Sequence, residues 1–368
     1  MLRIQAALPE RYTHASPEQL AEWIAAAKST LGDRLLIVGH HYQREEVMRW
    51  ADARGDSFGL SRLAADNHRA EFIVFCGVHF MAESADILTG DHQVVILPDL
   101  NAGCSMADMA DIDSVETAWE ELGAVTDIDG IVPITYMNSS AALKAFVGRN
   151  GGAVCTSSNA KTALTWALDQ PGDGGKVLFL PDQHLGRNTA VLDMGFDLDD
   201  CVLYDPHKPN GGLTEQQLRD ARMILWRGHC SVHGRFTIDS VREVRERVPG
   251  VRVLVHPECK HEVVRAADEV GSTEYIIRAL DAAPAGSAWA VGTELNLVRR
   301  MALAHPDKHI TFLDRTVCYC STMNRIDLPH LVWALEELVA GRVPNQITVD
   351  TDTAKYARVA LDQMLALP

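Results

Sequence analysis

The sequence predicts an α/β fold made of three similar repeats with small parallel sheets, arranged about a pseudo-threefold axis. Two observations carry this. Short β-branched runs alternate with longer amphipathic stretches, the pattern of parallel strands joined by helical crossovers. Four polar markers also recur three times in the same order, at nearly identical spacing in the first and third copies.

The strands read in order as "RLLIVGHH", "EFIVFCGV" and "VVILPDL", then "IVPITYMN", "KVLFLPDQ" and "MILWRGHC", then "VRVLVHPE", "AWAVGTEL" and "ITFLDRTV". Helices are expected at "SPEQLAEWIAAAKST", "MAESADIL", "SSAALKAFV" and "HEVVRAADEV". Each repeat opens with a strand ending in a polar anchor: His40, Tyr136 or His256. The second marker is a hydroxyl, Ser57, Ser157 or Thr273, lying 17, 21 and 17 residues further on. The third is a strand, turn and helix beginning at Gly77, Pro181 and Gly292, offset by 37, 45 and 36. The fourth is a cysteine followed by serine: Cys104, Cys230 and Cys320, offset by 64, 94 and 64.

The repeats are accordingly placed at 1–115, 116–245 and 246–368, the last including C-terminal helices. The middle copy carries 30 extra residues, most of them in a Pro-, Gly- and Asp-rich excursion near 187–215.

Composition bounds the function. A length of 368 residues suits two or three domains, and 47% apolar with 23% charged residues is ordinary for a globular chain. The net charge of −16 argues against broad nucleic-acid binding. No apolar run approaches the ~20 residues needed to cross a bilayer, so no membrane partner is expected. The N-terminus lacks the apolar core of a secretion signal, so a cytoplasmic, reducing setting is expected for the eight cysteines. There, metal ligation or reactive thiols gain weight over disulfides.

Threefold symmetry brings equivalent atoms to one axis, where three thiolates could hold a soft metal centre with an open side. Two alternatives stand at this point: a mononuclear zinc hydrolase or lyase using His229 or His233 as well, and a non-catalytic cluster carrier. The zinc reading is weakened because neither histidine has a counterpart beside Cys104 or Cys320. The carrier reading leaves the polar strand ends His40, Tyr136, Asn138, His256 and Glu258 unexplained.

The segments "HHYQ", "DLNAGCSMAD", "YMNSSA", "CTSSNA", "LPDQHLGRN", "WRGHCSVH", "HPEC", "GSTEY", "GTE" and "CSTMN" together resemble the quinolinate synthase family, in order from about Leu35 to Leu328. The resemblance implies three αβα domains about a pseudo-threefold axis and a [4Fe-4S] cluster on Cys104, Cys230 and Cys320. It implies condensation of iminosuccinate with dihydroxyacetone phosphate to give quinolinate for NAD biosynthesis, and coupling to an L-aspartate oxidase or dehydrogenase. Iminosuccinate contacts would fall on His40, Ser57, Tyr136, Met137, Asn138, Ser157, His256, Pro257, Glu258 and Thr273. Ser57, Ser157 and Thr273 read as helix N-caps suited to carboxylate and phosphate groups. Glu258 beside His256 reads as a base, and Tyr42 with His40 as proton-transfer groups. Position 41 is His where many members carry Asn, and "CYC" stands where some carry C-x-x-C-x-x-C.

Other residues read more plainly. His79 and His184 are expected to be satisfied, partly buried imidazoles, and Cys76, Cys155, Cys201 and Cys259 small core residues. Cys318 is expected to be a neighbour of the ligand rather than a ligand. Glu294 and Asn296 are expected to cap a helix. No dinucleotide or P-loop signature occurs.

Overall fold

The computed structural model describes residues 5, 7–172, 174–316 and 319–367, which leaves Cys318 outside the described residues. Strands run in chain order as β1 (Leu35–His40), β2 (Ala53–Gly55), β3 (Phe72–Cys76), β4 (Val94–Ile96), β5 (Ile131–Tyr136), β6 (Ala153–Cys155) and β7 (Lys176–Leu180). They continue as β8 (Cys201–Tyr204), β9 (Met223–Trp226), β10 (Arg252–Val255), β11 (Glu269–Val270), β12 (Ala288–Gly292), β13 (His309–Phe312) and β14 (Gln346–Ile347). β1 and β5 are buried along their whole length, which is why they read as unbroken apolar runs rather than alternating ones.

Three small sheets result, all parallel except for β14, which joins the edge at β4 in antiparallel sense. Their orders are β14-β4-β3-β1-β2, β6-β5-β7-β9-β8 and β11-β10-β12-β13. Within each, the same core order recurs: a short edge strand, the anchor strand, then two further strands. The excursion of the second copy supplies the additional strand, β8, and then turns through left-handed Asn210, Gly211 and Gly212. Helices flank each sheet, so the α/β class and its repetition hold.

The described residues of Met1–Cys104, Leu295–Leu297 and Tyr319–Asp350 form one compact unit, carrying the first sheet. Those of Ser105–Glu294, Val298–Cys318 and Thr351–Pro368 form a second, carrying the other two.

The repetition extends past each cysteine. Three residues after Cys104, Cys230 and Cys320 a 3-10 turn begins, at Ala107–Met109, His233–Arg235 and Met323–Arg325. Eight residues after each, an α-helix begins: Ile112–Val125, Ile238–Arg247 and Leu328–Val339. Their N-caps, Asp111, Thr237 and Asp327, accept the amides of Ser114, Ser240 and His330.

All nine strands expected from the sequence are present. β2, β6, β8, β11 and β14 were not anticipated: all five are short edge strands, whose pairing is set by the strand beside them. The helix expected at "HEVVRAADEV" stops at Ala266, and the chain then extends into β11.

In the second unit the C-terminal helix Thr351–Ala366 lies across Ala141–Arg149, with Arg149 donating to Asp352 at 2.7 Å. Gly148 permits that approach: a Cβ there would lie 2.0 Å from the Tyr356 carbonyl oxygen. Gly148→Ala is therefore expected to destabilise the protein by about 1–3 kcal/mol through overpacking. Gly123→Ala, whose methyl meets nothing nearer than 3.7 Å, should leave the melting temperature unchanged or slightly raised. Thermal melts of both variants test this, and an unchanged Gly148→Ala melt would refute the close-packing account.

Candidate active site

In α/β sheets the turns after the carboxyl ends of parallel strands are free for polar groups, because the strands themselves are buried on both faces. In the second unit such turns from two sheets meet. Tyr136 ends β5, Asp182 follows β7, and Cys230 with His233 follows β9. His256 and Glu258 follow β10, and Thr293 follows β12.

Glu258 is buried, and its Oε2 lies 2.8 Å from His233 Nδ1. The other ring nitrogen, His233 Nε2, lies 3.2 Å from Thr293 Oγ1. The His233 ring stacks on His256, with centroids 4.5 Å apart and planes at 18°. Burial alone would raise the Glu258 carboxyl, but His233 and His256 beside it, with hydrogen bonds from His233 and Tyr136, hold it down at about 2. Burial and the neighbouring His233 push His256 down to about 3, so it is a neutral imidazole at neutral pH.

Asp182 is also fully buried. Its carboxylate accepts the amides of His184 and Leu185, both at 2.7 Å, and that of Cys230 at 3.2 Å. It thereby caps the helix Gln183–Asn188 and fixes the cysteine turn with one side chain. Burial, followed by the charge of Glu258, raises its carboxyl well above the usual range, the opposite direction to Glu258. Gly228 donates to Trp226 O and accepts from Gln183 at 3.0 Å; a Cβ on it would meet the Pro181 carbonyl at 2.3 Å.

The anchor histidines share one device. His40 Nδ1 accepts the amide of Tyr42 at 3.1 Å, and His256 Nδ1 accepts the amide of Glu258 at 3.3 Å. As neutral rings both therefore carry hydrogen on Nε2, a donor suited to a carboxylate.

In the first unit, Tyr42 stands edge-on to His40 at 4.9 Å. The turn after β1 is tied to the turn of Cys320: Gln43 Nε2 donates to Met323 O at 3.1 Å and Arg44 to Asn324 O at 2.6 Å. Buried Asp99, five residues before Cys104, takes Arg325 Nε at 2.8 Å. Asn296 donates to Tyr42 O at 3.1 Å and to Asn324 Oδ1 at 3.0 Å, so it braces these turns rather than capping a helix.

Of the remaining predicted residues, Met137 is buried, with its amide on Cys155 O at 2.8 Å, and Asn138 is half-buried. Buried Lys144 holds the carbonyls of Met137 and Ser139 from behind, at 2.9 and 2.5 Å. Pro257 is buried, and Asn188 donates to its carbonyl and to that of Cys259, both at 2.8 Å. The helix caps expected at the second marker are displaced. Asp56 and Ser272 are the N-caps, which puts Ser57 and Thr273 at the first helical position; Ser157 precedes Asn159, the residue before Ala160–Asp169. Asp56 and Ser272 prevail because their extended backbone lets the side chain reach the third amide onward.

Cys76, Cys155 and Cys259 are fully buried, and burial raises their thiols, Cys76 to about 12. Cys201 is half-buried and raised to about 11 for the same reason. Cys104, Cys230 and Cys320 are half-buried. His79 pairs with Glu83 at 3.3 Å, as expected of a satisfied ring. His184 departs from that expectation: its buried Nδ1 has no hydrogen-bond partner among the described residues, and burial followed by Arg187 lowers the ring to about 4. His229 is exposed, whereas His233 is at the centre of the site.

His233, Asp182 and Thr293 are the residues sequence reasoning passed over. His233 was set aside for lacking a counterpart in the other repeats. Asp182 and Thr293 each stand one residue past the third marker, an equivalence the sequence does contain.

The model of the quinolinate synthetase A protein family matches residues 22–366. A quinolinate synthase of a Nocardioides species is 66% identical over 357 residues, covering 96% of this chain and 91% of that protein. One from Streptomyces coelicolor is 67% identical over 345 residues, covering 93% and 87%. One from Bacillus anthracis is 52% identical over 362 residues, covering 98% and 97%. Among the described residues no helix is long and apolar enough to cross a membrane.

The buried histidines set an acid limit. His256 stays neutral in the folded chain down to about 3 but protonates near its ordinary 6.5 when unfolded. Its contribution to stability is complete above 6.5 and is lost as pH falls toward 3. Stability of the metal-free protein should therefore decline with acidification through this window. His256→Asn should flatten the slope by at most about 1.4 kcal/mol per pH unit. Asp182, whose raised carboxyl favours the folded state below 3.8 and costs stability above it, is common to parent and variant. Denaturant melts between pH 4 and 7 test this; parallel slopes would refute it.

Proposed function

The chain belongs to the quinolinate synthetase A protein family, and on that premise we propose that it condenses iminosuccinate with dihydroxyacetone phosphate to quinolinate, releasing phosphate and water. In this reading it is a transferase of NAD biosynthesis that works in the cytoplasm. It takes iminosuccinate from an L-aspartate oxidase or dehydrogenase. Its three repeats divide at 115/116 and 245/246.

The observation that carries the reading is the common local frame around Cys104, Cys230 and Cys320. Each follows the equivalent strand of its sheet, and each precedes a 3-10 turn by three residues and a capped helix by eight. The donor set fits a [4Fe-4S] cluster: three half-buried thiols in matching turns, while Cys76, Cys155 and Cys259 are sealed in the core and half-buried Cys201 lies on β8, outside those turns. A cluster on three thiolates supplies a Lewis-acidic iron that polarises a substrate oxygen.

The chain's own residues supply the rest. The Nε2–H groups of His40 and His256 hold substrate carboxylates. The amides and hydroxyls at Ser57, Ser157 and Thr273 add donors, so a globally acidic protein can bind anions. Lys144 fixes the turn that presents Asn138. Glu258 is an anion in the substrate-free site, and a substrate carboxylate beside it would raise its affinity for a proton. It can then remove a substrate proton at Oε1 or Oε2 and keep it, with Tyr136 and His233 orienting it. Tyr42 beside His40 supplies the second proton-transfer pair.

Protein prepared without oxygen is expected to be brown, with about four irons and four sulfides per chain, and to form quinolinate from the two substrates. Cys104→Ala, Cys230→Ala and Cys320→Ala should each abolish both cluster and activity. A colourless protein retaining one zinc would overturn the reading.

A further inference from the structure

We propose that Cys230, His233 and Glu258 form a second metal site, one that takes a borderline divalent cation of the Zn²⁺ class when no cluster is present. The three offer Sγ, a ring nitrogen and a carboxylate oxygen, all within 4.8 Å of one another. Sulfur, imidazole and carboxylate together are a ligand set characteristic of zinc, and three protein ligands leave a fourth position for water.

The surroundings are arranged for ligation. A metal-bound imidazole donates its second N–H to an outer acceptor, which fixes ring and tautomer. Thr293 Oγ1 occupies that place at His233 Nε2, 3.2 Å away, which leaves Nδ1 as the ligating nitrogen. Nδ1 now lies 2.8 Å from Glu258 Oε2. A tetrahedral Zn²⁺ bound to both would set them roughly 3.3 Å apart, with the sulfur about 3.6 Å from the nitrogen. The Nδ1–Oε2 pair therefore needs to open by about half an ångström, while the sulfur starts no more than 4.8 Å from its partners. Asp182 holds the Cys230 amide and so fixes the turn on which that sulfur swings. On binding, the thiol proton passes to solvent, and Nδ1 of the neutral ring is open to the metal because its hydrogen stays on Nε2, where Thr293 Oγ1 accepts it.

Zn²⁺ there would occupy one of the three proposed cluster ligands and the carboxylate assigned as base. Zinc and cluster would then exclude one another, so zinc would block cluster assembly. That consequence rests on the function proposed above; the site itself does not.

The test is a titration of the full-length, reduced, cluster-free protein with Co²⁺ under nitrogen, followed by Zn²⁺ competition. About one Co²⁺ per chain should bind, with a sulfur-to-cobalt charge-transfer band and tetrahedral d–d bands, both displaced by one equivalent of Zn²⁺. Cys230→Ser should remove the charge-transfer band. Thr293→Val, which removes only the outer acceptor, should weaken Co²⁺ binding ~10- to 100-fold, and His233→Gln, which removes a ligand, by more than that. Cys104→Ala should leave binding unchanged. Loss of Co²⁺ binding in Cys104→Ala, with normal binding in His233→Gln and Thr293→Val, would place the metal on the cysteines alone and overturn the proposal. Iron and sulfide uptake should be several-fold slower in the zinc-loaded protein than in the zinc-free one; equal rates would overturn the blocking role. Failure of the zinc-free protein to take up a cluster would count against the proposed function, while the Co²⁺ titration decides the metal site independently.

Discussion

A carboxylate sealed from water has to be met by donors, and Glu258 sets that demand on the second unit. Burying it unpaired would cost several kcal/mol. The site meets the charge with His233 at 2.8 Å, with the hydroxyl of Tyr136, and with His256 stacked behind His233. These come from the ends of β5, β9 and β10, so pairing one anion draws together turns from two sheets. It also fixes the protonation pattern of its neighbours. Glu258 takes the stabilisation of two imidazoles and is held low, while burial and the charge of Glu258 push the Asp182 carboxyl up.

The cysteine turns are held by a second device, a buried aspartate a few residues away in space. Asp182 receives the Cys230 amide, and Asp99 receives Arg325 from the segment just past Cys320. The backbone repeats the arrangement more closely still. The amide of His79 donates to Ala102 and that of Gln183 to Gly228, in each case two residues before the cysteine. The corresponding residue of the third copy, Cys318, lies outside the described residues. Such bracing matters because a metal ligand placed an ångström out of line loses much of its use, and turns are otherwise the least fixed part of a fold.

Much of this was legible in the sequence. The nine strands of the three repeats and the alternating pattern declare themselves, since burial on both faces demands continuous apolar runs. The spacing of 64 residues from His40 to Cys104 and from His256 to Cys320 is preserved because both repeats use the same chain of turns and helices. The short strands were not legible, because their pairing is set by the sheet beside them rather than by their own composition. The caps were misplaced by one residue at Ser57 and Thr273, where two adjacent polar residues compete and backbone conformation decides. Asn296 was misjudged because its partners, Tyr42 and Asn324, are far away in sequence.

Reading by symmetry found the frame and hid part of the chemistry. The frame is carried by backbone, which can repeat; the chemistry needs groups that differ. At the anchor position two copies present histidine with its Nε2–H and the middle copy presents Tyr136, which instead steadies Glu258. One residue past the third marker stand Val78, Asp182 and Thr293: one apolar, one holding a cysteine amide, one holding an imidazole. Three residues past the cysteines stand Ala107, His233 and Met323. Among the described residues, only the copy that carries Cys230 brings an imidazole and a carboxylate to its own cysteine. A repeated backbone frame can thus carry three cysteines at equivalent positions while one copy alone sets an imidazole three residues past its cysteine.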